Sequence, residues 1–210
     1  MSKQHWLLIA GLVVLILLPR VFDLGAFMTA DEKQWLANTA GFTKDLATLP
    51  WEKLVQQPHP AITTQWLGAI TIYSNSWAVR KLPLAIGQSV LLLLVLYVFW
   101  QLWGKRPAVL VTTLVALNPL LIAHTRVYAM DSLLAVFCLL AVGLLLLWNK
   151  TQEQRYLYFS AFVSAAALLS KLPGTILIPF TALFLAVFAW RTKKYKKTAL
   201  LIVIWSLVFL

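Results

Sequence analysis

Few side chains in this chain could take part in chemistry, and most of them are charged residues close to apolar segments. The 210 residues include 18 Lys and Arg but only 7 Asp and Glu. Lysine and arginine side chains could bind a phosphate group through charge-assisted hydrogen bonds. A carboxylate could act as a general base and accept the proton of a hydroxyl group. The candidates are Asp31, Glu32, His59, Arg80, Arg126, Asp131 and Lys171.

Most of these residues also have a plainer structural interpretation. Arg126 and Asp131 could pair with each other at the start of a helix, and Arg80 could anchor its helix among lipid headgroups. His59 stands between two prolines and is typical of a loop residue. Lys171 is harder to dismiss, because a lone lysine between two apolar helices has little water around it and needs a partner. The candidates gain weight if the fold brings them to one face of the molecule.

The elements that must position these residues are membrane-spanning helices. The chain is 61% hydrophobic, with a mean hydropathy of +0.80, and this composition excludes a soluble enzyme and a disordered chain. The single cysteine, Cys138, excludes an internal disulfide. Each span must be helical, because backbone polar groups in lipid need partners within the same segment. We predict an all-α polytopic bundle with spans at 6–22, 82–103, 108–123, 132–148, 156–170, 172–190 and 198–210.

The distribution of charge predicts how the spans are oriented. With a cytoplasmic N-terminus, the inner segments hold ten Lys and Arg against one acid, and the outer segments hold eight against six. This asymmetry follows the positive-inside rule. The net charge of +11 is then a consequence of topology, and nucleic acid is not implied. No convincing cleavage site follows the first span, which we interpret as an uncleaved signal anchor.

The longest connection, residues 23–81, is predicted to be extracytoplasmic. A loop of this length is uncommon unless it has a function. Within it we predict a short helix at 31–41, with Asp31 and Glu32 in the first turn, where the helix dipole favours anions. Apolar residues recur every four positions in the segment 62–73, which predicts an amphipathic helix lying in the membrane interface.

Taken in order, the charged motifs resemble those of lipid-linked sugar transferases of the C superfamily, the group that includes protein O-mannosyltransferases and lipid A aminoarabinose transferases. The most specific stretch is Arg126 followed by Asp-Ser-Leu-Leu at 131–134. The other motifs are Thr-Ala-Asp-Glu at 29–32, His-Pro-Ala at 59–61, Arg-Lys-Leu-Pro at 80–83, Leu-Asn-Pro-Leu at 117–120 and Ser-Lys-Leu-Pro-Gly at 170–174. The chain departs from the family pattern at Ala61, where a second proline is usual. We expect the chain to be the N-terminal part of a longer enzyme, because residues 198–210 end inside an apolar run.

The resemblance implies transfer of a sugar from a polyprenyl-phosphate donor to a hydroxyl of an extracytoplasmic protein or glycolipid. Phosphate is already a good leaving group, so one base and several cations suffice, whereas glycosidases use two carboxylates. Asp31 is implied as the base, with Glu32 in support, and Asp131 is expected to orient Arg126 or its loop. The implied phosphate contacts are Arg80, Arg126 and Lys171, with His59 as a weaker one.

A membrane transporter or channel subunit without enzymatic activity is the alternative. Transport sites usually place ionisable groups near the middle of the bilayer, and the predicted spans are almost free of such charge. We assign no residue as a metal ligand and no cofactor with certainty. A divalent cation is the one cofactor that the sequence leaves open. The expected location is the plasma membrane of a prokaryote, as a multi-pass protein in contact with membrane lipid.

Overall fold

The computed structural model describes residues 3–48, 61–193 and 195–209, and every regular element in these ranges is a helix. The predicted all-α membrane bundle is therefore confirmed for the described part of the chain. The α-helices are α1 (Lys3–Val21), α2 (Glu32–Thr48), α3 (Ile62–Ala69), α4 (Trp77–Trp103), α5 (Lys105–Ala116), α6 (Pro119–Thr125), α7 (Asp131–Thr151), α8 (Gln154–Ser170), α9 (Leu177–Thr192) and α10 (Tyr195–Phe209). A 3-10 helix, Leu172–Ile176, leads into α9.

Three helical segments are long and apolar enough to cross a membrane, namely α4, α7 and Leu172–Thr192. The pair α5 and α6 makes a fourth if it counts as one broken span. Shorter apolar helices lie at Leu7–Val21 and Thr198–Phe209. Each of the seven predicted spans overlaps a helix within the described residues, and the number of spans and their boundaries in the bilayer stay predictions.

Helices α7 and α8 form the centre of the bundle. Small residues of α8 allow the close approach, because Ser160, Ala161 and Ser164 are all buried. The Ser160 hydroxyl donates a hydrogen bond of 2.9 Å to the carbonyl oxygen of Ala141 on α7. The Ser160 hydroxyl at this interface thus has a partner without water, as a lipid environment requires.

The third predicted span is broken in the structure by a 60° bend between α5 and α6. The Asn118 side chain caps α6 by accepting hydrogen bonds from the backbone N–H groups of Leu120 and Leu121, and Pro119 is favoured as first residue because it has no N–H to satisfy. The fully buried Arg20 of α1 donates to the carbonyl oxygen of Ala116 at 2.8 Å, which satisfies an acceptor at the end of α5.

The long connection between α1 and α4 contains the two predicted helices. The first, α2, is longer than the predicted 31–41. In the second, α3, the polar Thr64 and Gln65 are buried, whereas 53% of Trp66 and 73% of Ile70 are exposed. This arrangement is the reverse of a soluble amphipathic helix and fits contact with lipid. His59, one of the predicted phosphate contacts, lies outside the described residues.

Candidate functional site

A buried ion pair forms the framework of the site. The Glu32 carboxylate lies 2.8 Å from the Lys81 Nζ atom, and both side chains are almost completely excluded from solvent. The same carboxylate accepts hydrogen bonds of 2.6 Å from the backbone N–H groups of Thr29 and Tyr128. Lys81 also donates to the carbonyl oxygen of Phe27 at 2.8 Å. Glu32 therefore joins three separate segments and has little capacity left to act on a substrate.

Next to this ion pair lies the acidic pocket, a cavity of about 400 Å³. Its lining includes Asp31, Trp35, His124, Tyr128, Asp131 and Lys171. The Lys171 Nζ atom lies 2.6 Å from an Asp131 carboxylate oxygen, and both side chains are about 40% exposed. Asp131, which was expected to orient Arg126 or its loop, thus pairs with Lys171. The lining holds two carboxylates and one ammonium group, so its fixed charge is negative.

Asp31 is exposed and immediately precedes α2. Its carbonyl oxygen accepts hydrogen bonds from the N–H groups of Gln34 and Trp35, which holds its backbone at the helix start. Among the described residues its carboxylate has no hydrogen bond or ion pair, and the side chain lines the acidic pocket. The geometry leaves this carboxylate accessible to a bound molecule, in contrast to the neighbouring Glu32.

Arg126 lies behind the acidic pocket and contacts the loop that leads to Asp31. One terminal nitrogen of its guanidinium donates to the carbonyl oxygen of Asp23 at 2.9 Å, and the group lies 5.9 Å from the centre of the Phe27 ring. The side-chain pair between Arg126 and Asp131 that the sequence left open is not formed. Arg126 instead links the connection between α6 and α7 to Asp23, at the start of the long connection that follows α1.

Arg80 belongs to a different cavity, the cationic pocket, of about 370 Å³. It is lined by Lys33, Leu36, Ala37 and Ala40 of α2, by Ile72 and Tyr73, and by Trp77 and Arg80 of α4. The Arg80 Nε atom donates to the carbonyl oxygen of Ser74 at 2.6 Å, and the guanidinium lies 4.7 Å from the centre of the Trp77 ring. The structure therefore does not bring Arg80 together with Lys171.

An apolar groove of about 420 Å³ adjoins the acidic pocket. Both cavities share His124 and Asp131, and the rest of the groove is formed mainly by Val115, Leu120, Leu121 and Ala135. It follows the bend between α5 and α6, where Leu120 is 72% exposed. The groove offers an apolar chain a surface that leads directly to the charged residues.

A comparison with protein families identifies the group to which the chain belongs. Residues 58–210 match the family model described as dolichyl-phosphate-mannose-protein mannosyltransferase. The chain belongs to this mannosyltransferase family. The resemblance inferred from the sequence motifs is thus confirmed. Searches of curated proteins and of solved structures gave no match.

Membership of the mannosyltransferase family indicates an integral membrane glycosyltransferase and does not favour the transporter alternative. The matched region contains Arg80, Arg126, Asp131 and Lys171, whereas Asp31 and Glu32 precede it. In the part of the chain that the structure describes, no three His, Cys, Asp or Glu side chains are grouped so that they could hold a metal ion.

Two residues of the site were missed in the sequence, Lys81 and Tyr128. Lys81 begins the buried face of α4, which continues through Leu84, Ala85 and Gln88. This spacing of three and four residues is the helical signal that could have distinguished Lys81 from Arg80. Tyr128 is fully buried, and its hydroxyl donates to the Thr39 hydroxyl at 3.0 Å. Burial raises the pKa of Tyr128 to about 12, although the hydrogen bond with Thr39 acts in the opposite direction.

Tyr128 fits beneath the acidic pocket because α3 has a glycine opposite it. A Cβ atom added at Gly68 would overlap the Tyr128 hydroxyl group and would come within 3.1 Å of the Thr39 methyl group. Gly68 is buried, so this space cannot be recovered by moving into solvent. The approach of α3 to α2 and Tyr128 therefore requires a residue without a side chain.

Proposed function

We propose that the acidic pocket is the place where a sugar is transferred from a polyprenyl-phosphate donor to a hydroxyl acceptor, on the extracytoplasmic face of the membrane. The observation that carries the proposal is the combination of an accessible carboxylate, Asp31, with an ammonium group, Lys171, beside an apolar groove. The acceptor is a protein or glycolipid hydroxyl. The base, the cation and the lipid surface are the three parts that this reaction needs.

In the proposed reaction, Asp31 accepts the proton of the acceptor hydroxyl. The acceptor oxygen forms a bond to the anomeric carbon of the sugar, and the bond between that carbon and the phosphate oxygen breaks. The electron pair of the broken bond leaves with the polyprenyl phosphate. Lys171 stabilises the negative charge that grows on the phosphate, because a fixed cation costs no reorganisation during the reaction.

Asp131 and Arg126 act in this proposal as positioning residues. Asp131 fixes Lys171 through the 2.6 Å ion pair, so that the ammonium group faces the pocket and not the lipid. Arg126 fixes the loop at Asp23, eight residues before the base. The apolar groove receives the first isoprene units of the donor, which places the phosphate near His124 and Lys171.

The test is Asp31→Asn in the full-length enzyme. We expect turnover to fall by a factor of ~100 or more, because Asn cannot accept the proton. Binding of the lipid donor should hardly change, since Asn keeps the size and polarity of the side chain. Turnover and donor affinity are measured separately with a labelled polyprenyl-phosphate sugar.

The matched control is Asp45→Asn, which removes one carboxylate from α2, the helix that Asp31 precedes, at a position outside the acidic pocket. It should leave turnover unchanged. Turnover of Asp31→Asn equal to that of Asp45→Asn would remove the catalytic base from the acidic pocket.

A further inference from the structure

The cationic pocket has no part in the proposed reaction, and its chemistry points to a separate ligand. We propose that it binds the phosphate group of a lipid headgroup at the membrane boundary. Among the described residues that line it, Lys33 on α2 and Arg80 on α4 are charged, and none of these residues is a carboxylate. A bound phosphate would therefore find two cations and no opposing charge.

The charge balance of this end of the bundle sets the cationic pocket apart. Lys81 is paired with Glu32, and Lys171 is paired with Asp131. Lys33 and Arg80 form no ion pair within the described ranges. The Arg80 Nε atom donates to the carbonyl oxygen of Ser74, and the two terminal nitrogens have no hydrogen-bond partner in the described part of the chain. These two nitrogens could donate to two oxygens of a phosphate.

The Arg80 side chain is also preorganised for binding a ligand. Its guanidinium lies against the Trp77 ring and is hydrogen-bonded to the chain just before α4. A side chain fixed from two directions loses less conformational entropy on binding than a free arginine does. Lys33 supplies a second, mobile charge from the opposite wall, because its side chain is exposed.

The surroundings favour a lipid as the source of the phosphate. Tyr73 and Trp77 line the pocket and are 69% and 42% exposed, and Trp77 is the first residue of α4, which is apolar enough to span a membrane. Tyrosine and tryptophan are enriched at the depth of the headgroups. Leu36 and Ile72 also line the pocket and are 5% and 4% exposed, so the small surface that they leave open to the glycerol and the first methylenes is apolar. Free phosphate would make no use of that surface.

The two pockets lie on different faces of α2, so the new site is independent of the proposed reaction. Asp31 and Trp35 are one turn apart and line the acidic pocket, whereas Lys33 and Ala37 are one turn apart and line the cationic pocket. Two residues of separation in a helix correspond to a rotation of about 200°. A phosphate bound beside Arg80 has no carboxylate base in reach, so this is a binding site and not a reaction site.

The experiment uses the full-length enzyme in nanodiscs of neutral phosphatidylcholine, with fluorescent phosphatidic acid as the probe and inorganic phosphate as the competitor. We expect saturable binding of phosphatidic acid, and Lys33→Gln should weaken it about 3- to 10-fold through loss of one partly exposed charge-assisted contact. Ala37→Trp, which fills the pocket without changing its charge, should weaken binding as well. Lys44→Gln is the control, since it removes the same charge from an exposed position of α2 outside the pocket.

Three outcomes would overturn the proposal. An equal loss of affinity in Lys33→Gln and Lys44→Gln would mean a general attraction of lipid to a basic surface. Competition by inorganic phosphate at the same concentration as the lipid would assign the pocket to free phosphate. Unchanged affinity in both Lys33→Gln and Ala37→Trp, with unchanged thermal stability, would place the lipid elsewhere. Turnover of Lys33→Gln is measured in parallel, so a failure here can be distinguished from a failure of the proposed reaction.

Discussion

The two pockets beside α2 have similar volumes, about 400 and 370 Å³, but opposite charge. One holds Asp31, Asp131 and Lys171, and the other holds Lys33 and Arg80. The difference arises within three consecutive residues of the chain. Asp31 faces the acidic pocket, Glu32 is buried in an ion pair, and Lys33 faces the cationic pocket. Because each residue of a helix is turned by about 100° from the one before it, charges that are adjacent in sequence can serve three different purposes.

The buried ion pair between Glu32 and Lys81 lies between the two pockets, and its loss should have the largest effect of all. Glu32→Gln leaves the Lys81 ammonium group without a counter-charge. Lys81→Met likewise leaves the Glu32 carboxylate without a counter-charge. Removal of one partner of a buried pair costs roughly 3–5 kcal/mol of the free energy of unfolding. We expect either change to disorganise both pockets, so that turnover and phosphatidic acid binding fall together. Thermal unfolding in detergent gives the stability.

Two comparisons control this prediction. Glu153→Gln breaks an exposed pair with Arg155, in which the side chains are 47% and 61% exposed, and pairs that solvent screens contribute only about 0–1 kcal/mol. The double change Glu32→Gln with Lys81→Met should cost less than the two single changes added together, because it leaves no unpaired charge. A double variant with the full additive loss would show that the two residues act separately.

The sequence predicted the fold class and the position of the helices, but it did not separate the two pockets. Hydropathy and charge are local properties, and they predicted apolar helices and the start of α2 near Asp31. The separation of Arg80 from Lys171 depends on how α4 is rotated about its own axis. In the observed rotation Lys81 is buried in the bundle and Arg80 is not. That rotation follows from packing between distant segments, and the motif order resembling the family contains no information about it.

Pairing between distant residues was equally hard to predict. Lys171 was expected to need a partner, and the structure supplies Asp131 from the start of another helix. Arg126 and Asp131 are close in sequence, yet each contacts a different part of the chain. Proximity in sequence favoured the wrong pair, because the short connection between α6 and α7 directs the two side chains to different neighbours.

A substitution at Gly68 should affect the acidic pocket more than the cationic pocket. Gly68→Ala places a methyl group where the Tyr128 hydroxyl lies, and overpacking of this kind costs about 1–3 kcal/mol. Tyr128 lines the acidic pocket and not the cationic one. We therefore expect lower turnover and lower thermal stability, with little change in phosphatidic acid binding.

Gly41→Ala is the control for that substitution. Gly41 lies in α2, and a Cβ atom there would have no neighbour within 4 Å. Alanine favours a helix over glycine by roughly 0.5–1 kcal/mol, so this variant should be slightly more stable than the parent. If Gly68→Ala behaved like Gly41→Ala, the contact between α3 and Tyr128 would not determine the acidic pocket.

The smallest expected effect is that of removing the Tyr128 hydroxyl. This change tests how much the hydrogen bond of Tyr128 contributes to the acidic pocket, apart from the packing of its ring. Tyr128→Phe keeps the ring and loses the bond to Thr39, for an expected cost of about 1 kcal/mol. Because burial raises the pKa of Tyr128 from 10.0 to about 12, the unfolded chain releases this proton before the folded protein does. Stability should therefore fall as the pH rises from 10 towards 12. Thermal unfolding across this pH range should show a smaller fall in Tyr128→Phe, and identical pH profiles would mean that Tyr128 is not buried as described.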